Sequence, residues 1–184
     1  TVSSGVYISI NPLPPATGTN IFSGATPGRA NSVNASLPAF PPLWLNEVQA
    51  NNITGLADNF GQRDPWTEIF NNATTNFILA GCYLTDTYTN LSKWAFPTNA
   101  AISSNGFTLV WCDNQPTQGP LHTSFALSAS GEQLGLFDTA AFGTGLIDTT
   151  SFGPQTPNVS RGRLPDGGLW QVLPAPSPGA TNGS

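Results

Sequence analysis

The chain has 184 residues, enough for one domain with its own core and some extra length. Charged residues make up only 8% of it, against about 25% in ordinary soluble domains, so Asn, Thr, Ser and Gln must keep the surface polar, as in secreted and cell-surface β-proteins. The net charge is −5, and the five basic residues (Arg29, Arg63, Lys93, Arg161 and Arg163) form no run longer than Arg161-Gly162-Arg163, which excludes a counterion-displacing nucleic-acid face and a polybasic membrane anchor.

The predicted elements are all strands. Seventeen Pro and 19 Gly punctuate the chain, and long helices do not survive that spacing. The segments between are short and rich in Val, Ile, Phe, Tyr, Trp and Thr, which is strand composition. In chain order they are Val6–Ile10, Leu43–Gln49, Trp66–Asn71, Phe77–Thr85, Lys93–Phe96, Phe107–Cys112, Gln133–Asp138, Leu146–Phe152 and Leu169–Val172. Asn105-Gly106 is a tight-turn signal just before the sixth of these, and Ser124–Leu127 fits either a short strand or a helical turn. Strands at this spacing indicate a sandwich or barrel. No apolar run approaches the roughly 20 residues that span a bilayer. The chain opens Thr1-Val2-Ser3 and holds no Met, as a processed product or an excised piece would.

Residues 1–42 read differently from the rest. Asn11–Pro15 and Leu37–Pro42 are proline-rich and run extended, so this segment is expected to be an arm with a strand at Val6, Tyr7, Ile8 and Ile10, followed by a compact domain over 43–174 and a Pro/Gly/Ser tail over 175–184. The arm echoes the C-terminus. Gly5-Val6-Tyr7-Ile8, a proline break and Ala25-Thr26-Pro27-Gly28-Arg29-Ala30-Asn31 parallel Gly168-Leu169-Trp170-Gln171-Val172, a proline break and Ser177-Pro178-Gly179-Ala180-Thr181-Asn182. The arm therefore reads as the end of a preceding module or as a donor strand.

Cys82 and Cys112 are 30 positions apart with no CxxC, and His122 is the single His, which argues against a structural zinc site built on clustered Cys and His. One disulfide and two buried free thiols are both compatible with this count; the secreted composition points to the bond. Six Asn-x-Ser/Thr sequons, at Asn34, Asn52, Asn72, Asn90, Asn158 and Asn182, are glycan acceptors where the host modifies secreted proteins.

Seven segments in order carry a resemblance. They are Leu43-Trp44-Leu45-Asn46-Glu47-Val48, Trp66-Thr67-Glu68-Ile69-Phe70-Asn71, Leu79-Ala80-Gly81-Cys82-Tyr83-Leu84-Thr85-Asp86 with Lys93-Trp94-Ala95-Phe96-Pro97, Thr108-Leu109-Val110-Trp111-Cys112-Asp113, Leu121–Glu132, Ser160-Arg161-Gly162-Arg163-Leu164-Pro165-Asp166-Gly167, and the Ser177–Asn182 exit. Together, residues 43–182 resemble the lamin tail domain family in its bacterial extracellular branch. The resemblance implies an immunoglobulin-like antiparallel β-sandwich, a binding or structural role, and no catalytic residues. It also implies a large aromatic where Cys82 stands, so a Cys82–Cys112 bond would fill the gap left in the core.

Sites for chemistry are thin. His122 could act as a general base with Asp113 or Asp86, yet there is no Gly-x-Ser-x-Gly elbow and no activated thiol. Glu47, Glu68 and Glu132 could supply the facing carboxyl pair of a glycosidase, but capping strands, binding backbone amides or pairing with Arg161, Arg163 and Lys93 are the expected roles. Asp58, Asp64, Asp86, Asp138, Asp148 and Asp166 lie in or near loops without the Asp-x-Asp-x-Asp spacing of a calcium loop. Trp44, Trp66, Trp94, Trp111 and Trp170 could stack a sugar, but strand motifs place Trp66, Trp94 and Trp111 in the core. The expectation is a non-enzymatic secreted or cell-surface module with no cofactor and no metal. It would assemble head-to-tail with itself or with neighbouring modules through its arm. The alternative is a glycan- or protein-binding accessory module of a larger secreted protein.

Overall fold

The computed structural model describes residues 20–22, 34–36, 41–138 and 145–183. The expected strand at Val6, Tyr7, Ile8 and Ile10 lies outside the described residues. The chain divides into two units, 1–39 and 40–184. In the first, β1 (Asn20–Phe22) and β2 (Asn34–Ser36) pair antiparallel.

The second unit is an antiparallel β-sandwich, and its described residues contain no helix. Strand β3 (Leu43–Gln49) pairs with β4 (Trp66–Asn71), and β4 with β9 (Phe107–Trp111). On the other side of β3 lie β12 (Ser160–Leu164) and then β13 (Leu169–Leu173), giving the order β13-β12-β3-β4-β9. The second sheet has the order β11-β10-β6-β7, built from β6 (Cys82–Thr85), β7 (Trp94–Ala95), β10 (Glu132–Asp138) and β11 (Leu146–Phe152). A two-residue pair, β5 (Phe77–Ile78) with β8 (Ala101–Ile102), stands apart.

One apolar cluster joins the two sheets. Leu43, Leu45, Val48, Ile69 and Val110 from the first meet Cys82, Leu84, Leu134, Leu136 and Ile147 from the second, with Phe125 and Leu127 from the 121–131 loop. Burial of that surface is the main favourable term in the fold. Trp66, Trp94 and Trp111 are buried as their strand motifs indicate.

The strand bounds differ from expectation where the chain turns. Phe77–Thr85 is broken at Gly81, which sits at φ +85, in the left-handed region that favours glycine. Ser124–Leu127 forms no strand, only an isolated bridge between Asp113 and Ala126. Strand β12 was not anticipated, because its buried side carries small residues instead of large apolar ones. Ser160 is fully buried, and a Cβ on Gly162 would meet Asn182 Nδ2 at 2.8 Å as well as Leu173 Cδ1.

The stretch read as a tail is part of the sandwich. Ser177, Gly179 and Asn182 are bonded to buried groups of β3, β4 and β12, and Asn182 is itself buried.

Candidate functional site

Three places on the sandwich carry chemistry or an unfinished surface. The first is a buried polar latch. A register irregularity in β3 between Leu45 and Glu47 leaves Asn46 outside the ladder to β4, and such a bulge re-aims neighbouring side chains. The Asn46 side-chain amide donates to Glu68 Oε1 (3.3 Å) and Asp166 Oδ1 (3.0 Å), and its oxygen accepts from the Gly167 N–H. Glu47 accepts from the Ser160 hydroxyl and from both the N–H and the hydroxyl of Ser177. Glu68 Oε2 accepts from the Gly179 N–H at 2.5 Å. Asn182 closes the network by donating to the carbonyls of Asn46 (3.1 Å) and Arg163 (2.9 Å). Glu47 and Glu68 have no solvent exposure. Burial pushes both carboxyls up, that of Glu68 to about 7, against the lowering effect of their hydrogen bonds.

Next to the latch, Arg163 uses its guanidinium in every direction. It donates to the Leu45 carbonyl (2.9 Å), the Gly168 carbonyl (2.7 Å) and both oxygens of Asp148 on β11 (3.0 and 2.9 Å), and it lies between the rings of Trp44 and Trp170. Asp148 also accepts the Leu45 N–H that the irregularity frees. Arg161 Nη1 donates to the Ser151 carbonyl, so the β11 edge is tied to the opposite sheet at two points.

The second place is the corner where the 58–64 loop meets the chain after β9. His122 Nδ1 lies 2.5 Å from Asp113 Oδ2, and both side chains are buried. The His122 ring stacks near Trp111, and its Nε2 is 3.3 Å from Asn59 Oδ1. Asp113 Oδ1 accepts the Gln115 N–H, and Asp58 Oδ1 accepts the N–H groups of Phe60 and Gln62. The other oxygens, Asp58 Oδ2 and Asp64 Oδ2, are buried with no hydrogen-bond partner. Burial and the nearby Asp113 and Asp58 charges push the Asp64 carboxyl up.

The third is the outer edge of β13. Among the described residues it has no strand neighbour beyond β12, and it exposes Leu169 (79%) and Val172 (64%).

The remaining expectations are placed as follows. The Cys82–Cys112 disulfide is not formed: both residues are free, buried thiols. Cys82 lies on β6 of one sheet and Cys112 just after β9 of the other, its Sγ directed to the Val110 carbonyl. Each thiol packs singly in the core, and burial pushes that of Cys82 up to about 12. Of the sequons, Asn72 and Asn90 are exposed, and Asn34 belongs to the first unit. Asn52 and Asn182 are buried with their side-chain amides donating to carbonyls, so neither presents an acceptor nitrogen on the folded chain. Asn158 holds the N–H groups of Ile53 and Thr54. Glu132 accepts the Ser128 N–H, and Asp86 pairs with Lys93. The roles of Asn46, Ser177 and Asn182, and the convergence of Asp58 on His122, had no local signal in the sequence; only the pairing of distant strands creates them.

No protein-family model, curated protein or solved structure matches this chain.

Proposed function

We propose that this chain is a non-catalytic extracellular structural module that assembles with copies of itself by adding a strand of the N-terminal arm to the β13 edge of a neighbour. The observation that carries this reading is the contrast at the sheet edges. The β11 edge is tied down by Arg161 and Arg163. The β13 edge has no described strand beside it and displays Leu169 and Val172. An unpaired edge of that kind is a template for strand addition, with backbone hydrogen bonds giving affinity and alternate side chains giving specificity.

Two further features favour the reading. Glu47 and Glu68, whose carboxyls burial pushes up, are enclosed and engaged by the chain's own Ser160, Ser177 and Gly179, so they offer no surface to a substrate. The arm segment Gly5-Val6-Tyr7-Ile8 also repeats the Gly-x-aromatic pattern that opens β13 as Gly168-Leu169-Trp170. A donor and an acceptor at different places on one chain make a head-to-tail contact, which builds an open filament unless its rotation closes.

The test removes residues 1–42 and compares native particle size by light scattering. The full chain is expected to form concentration-dependent assemblies and the truncated chain to stay monomeric. Monomers in both cases overturn the assembly reading in favour of a glycan- or protein-binding accessory module.

A further inference from the structure

We propose that Asp58, Asp113 and His122 form a binding site for one divalent first-row transition-metal ion, with Zn²⁺ as the best-suited occupant. One ligand atom from each of the three lies within 4.8 Å of the others. Ligands about 2.0–2.2 Å from a shared tetrahedral Zn²⁺ stand about 3.5 Å apart, so His122 Nδ1 and Asp113 Oδ2, 2.5 Å apart, would part by about 1 Å as Asp58 closes on them.

A second, independent observation points to a cation. Asp58 Oδ2 and Asp64 Oδ2 are shielded from water and have no hydrogen-bond partner. A dehydrated carboxylate oxygen without a donor is costly, and the latch on the same sandwich shows no such atom among its carboxylates. The ion pairs of the described residues are Lys93–Asp86, His122–Asp113 and Arg163–Asp148, so no Lys or Arg neutralises Asp58 or Asp64. Three carboxylates against a single imidazole leave a negative corner that a divalent ion balances.

The donor set selects the ion. One imidazole with carboxylates suits Zn²⁺ and its first-row neighbours, whereas Ca²⁺ prefers six or more oxygens. The cation takes the place of the proton between His122 Nδ1 and Asp113 Oδ2, since a coordinating imidazole nitrogen carries no hydrogen. Asp64 adds negative potential from just outside the group of three. A surface groove lined by Asn59, Trp111, Gln118, Gly119 and Leu121 reaches His122 and gives the ion an entry path. The ion would bind the 58–64 loop to the chain after β9, a cross-link in a place where the sandwich has no disulfide.

The test uses the full chain, treated with chelator and titrated separately with ZnCl₂, MnCl₂ and CaCl₂, with isothermal calorimetry and melting temperature as readouts. One saturable Zn²⁺ per chain and a raised melting temperature are expected. Asp58→Asn, which keeps the Oδ1 acceptor for the Phe60 and Gln62 N–H groups, should weaken Zn²⁺ by about tenfold or more while leaving the far-UV spectrum and the melting temperature in chelator close to those of the parent. His122→Gln should do the same to affinity. Absence of saturable Zn²⁺ binding overturns the proposal. So does parent-like affinity in Asp58→Asn, which would put the ion elsewhere, or a preference for Ca²⁺ over Zn²⁺.

Discussion

Two acidic corners of the same sandwich are built on opposite terms. At and beside the latch, the side chains of Glu47, Glu68, Asp166 and Asp148 are engaged by donors from β3, β12 and the C-terminal segment. At the 58–64 corner, Asp58 and Asp64 each keep a buried oxygen with no donor. The first corner is closed by the chain itself and holds the fold; the second is left incomplete. Glu47 and Glu68 lie inside the apolar strands β3 and β4, and Asp58 and Asp64 in a polar loop, but neither setting says which carboxylates find donors. What separates them is whether backbone N–H groups arrive from elsewhere in the chain.

The largest expected effect lies at the closed corner. Arg163→Leu removes the partner of Asp148 and the bonds to Leu45 and Gly168. Breaking a buried ion pair on one side costs about 3–5 kcal/mol, and urea denaturation should show a loss of that size. A loss below about 1 kcal/mol, the range of exposed pairs, would mean that this corner does not hold the fold.

A pH dependence sharpens the comparison. Burial raises the Glu68 carboxyl from 4.5 to about 7 in the folded chain. The folded state therefore holds this proton more tightly than the unfolded one. Its stabilising contribution is fully present below about pH 4.5 and is lost as pH rises through about 7. Burial raises Glu47, Glu132 and Asp148 in the same direction. Stability by chemical denaturation should fall by about 2–3 kcal/mol between pH 5 and pH 8, and Glu68→Gln should flatten most of that slope. A slope unchanged in Glu68→Gln would remove Glu68 as its source.

The smallest effect is expected at the incomplete corner. In chelator, Asp58→Asn removes one charge from a carboxylate cluster and leaves the loop's N–H acceptor in place, so stability should change by no more than about 0.5 kcal/mol in the same assay. A loss comparable to that of Arg163→Leu would make the two corners equivalent.

Much of this fold was legible in the sequence, and the reason is physical. Leu43–Gln49, Trp66–Asn71 and Leu146–Phe152 emerge with the bounds read from their composition, because β-branched and aromatic runs between breakers leave few other conformations. Strand β12 was missed because Ser160 and Gly162 fill its inner side, and small residues there are explained only by Leu173 and Asn182 packing on them. The free thiols of Cys82 and Cys112 were not legible, because a count of two cysteines does not say how their sulfurs are placed in the fold. The 58–64 corner was invisible as a unit: Asp58 and Asp113 are 55 positions apart, and His122 meets Asp113 only through the bridge that lays residue 122 beside Trp111.

Whether the β13 edge is the assembly surface is decided most directly by sedimentation velocity at high concentration on the full chain and on a Leu169→Lys/Val172→Lys variant. Lysine on an edge strand opposes strand addition, and both positions are exposed, so the fold is expected to survive, as near-parent denaturation curves would show. The parent should sediment as concentration-dependent assemblies and the variant as a single species near 19.2 kDa. The same distribution for both chains, whether assembled or monomeric, would contradict the claim.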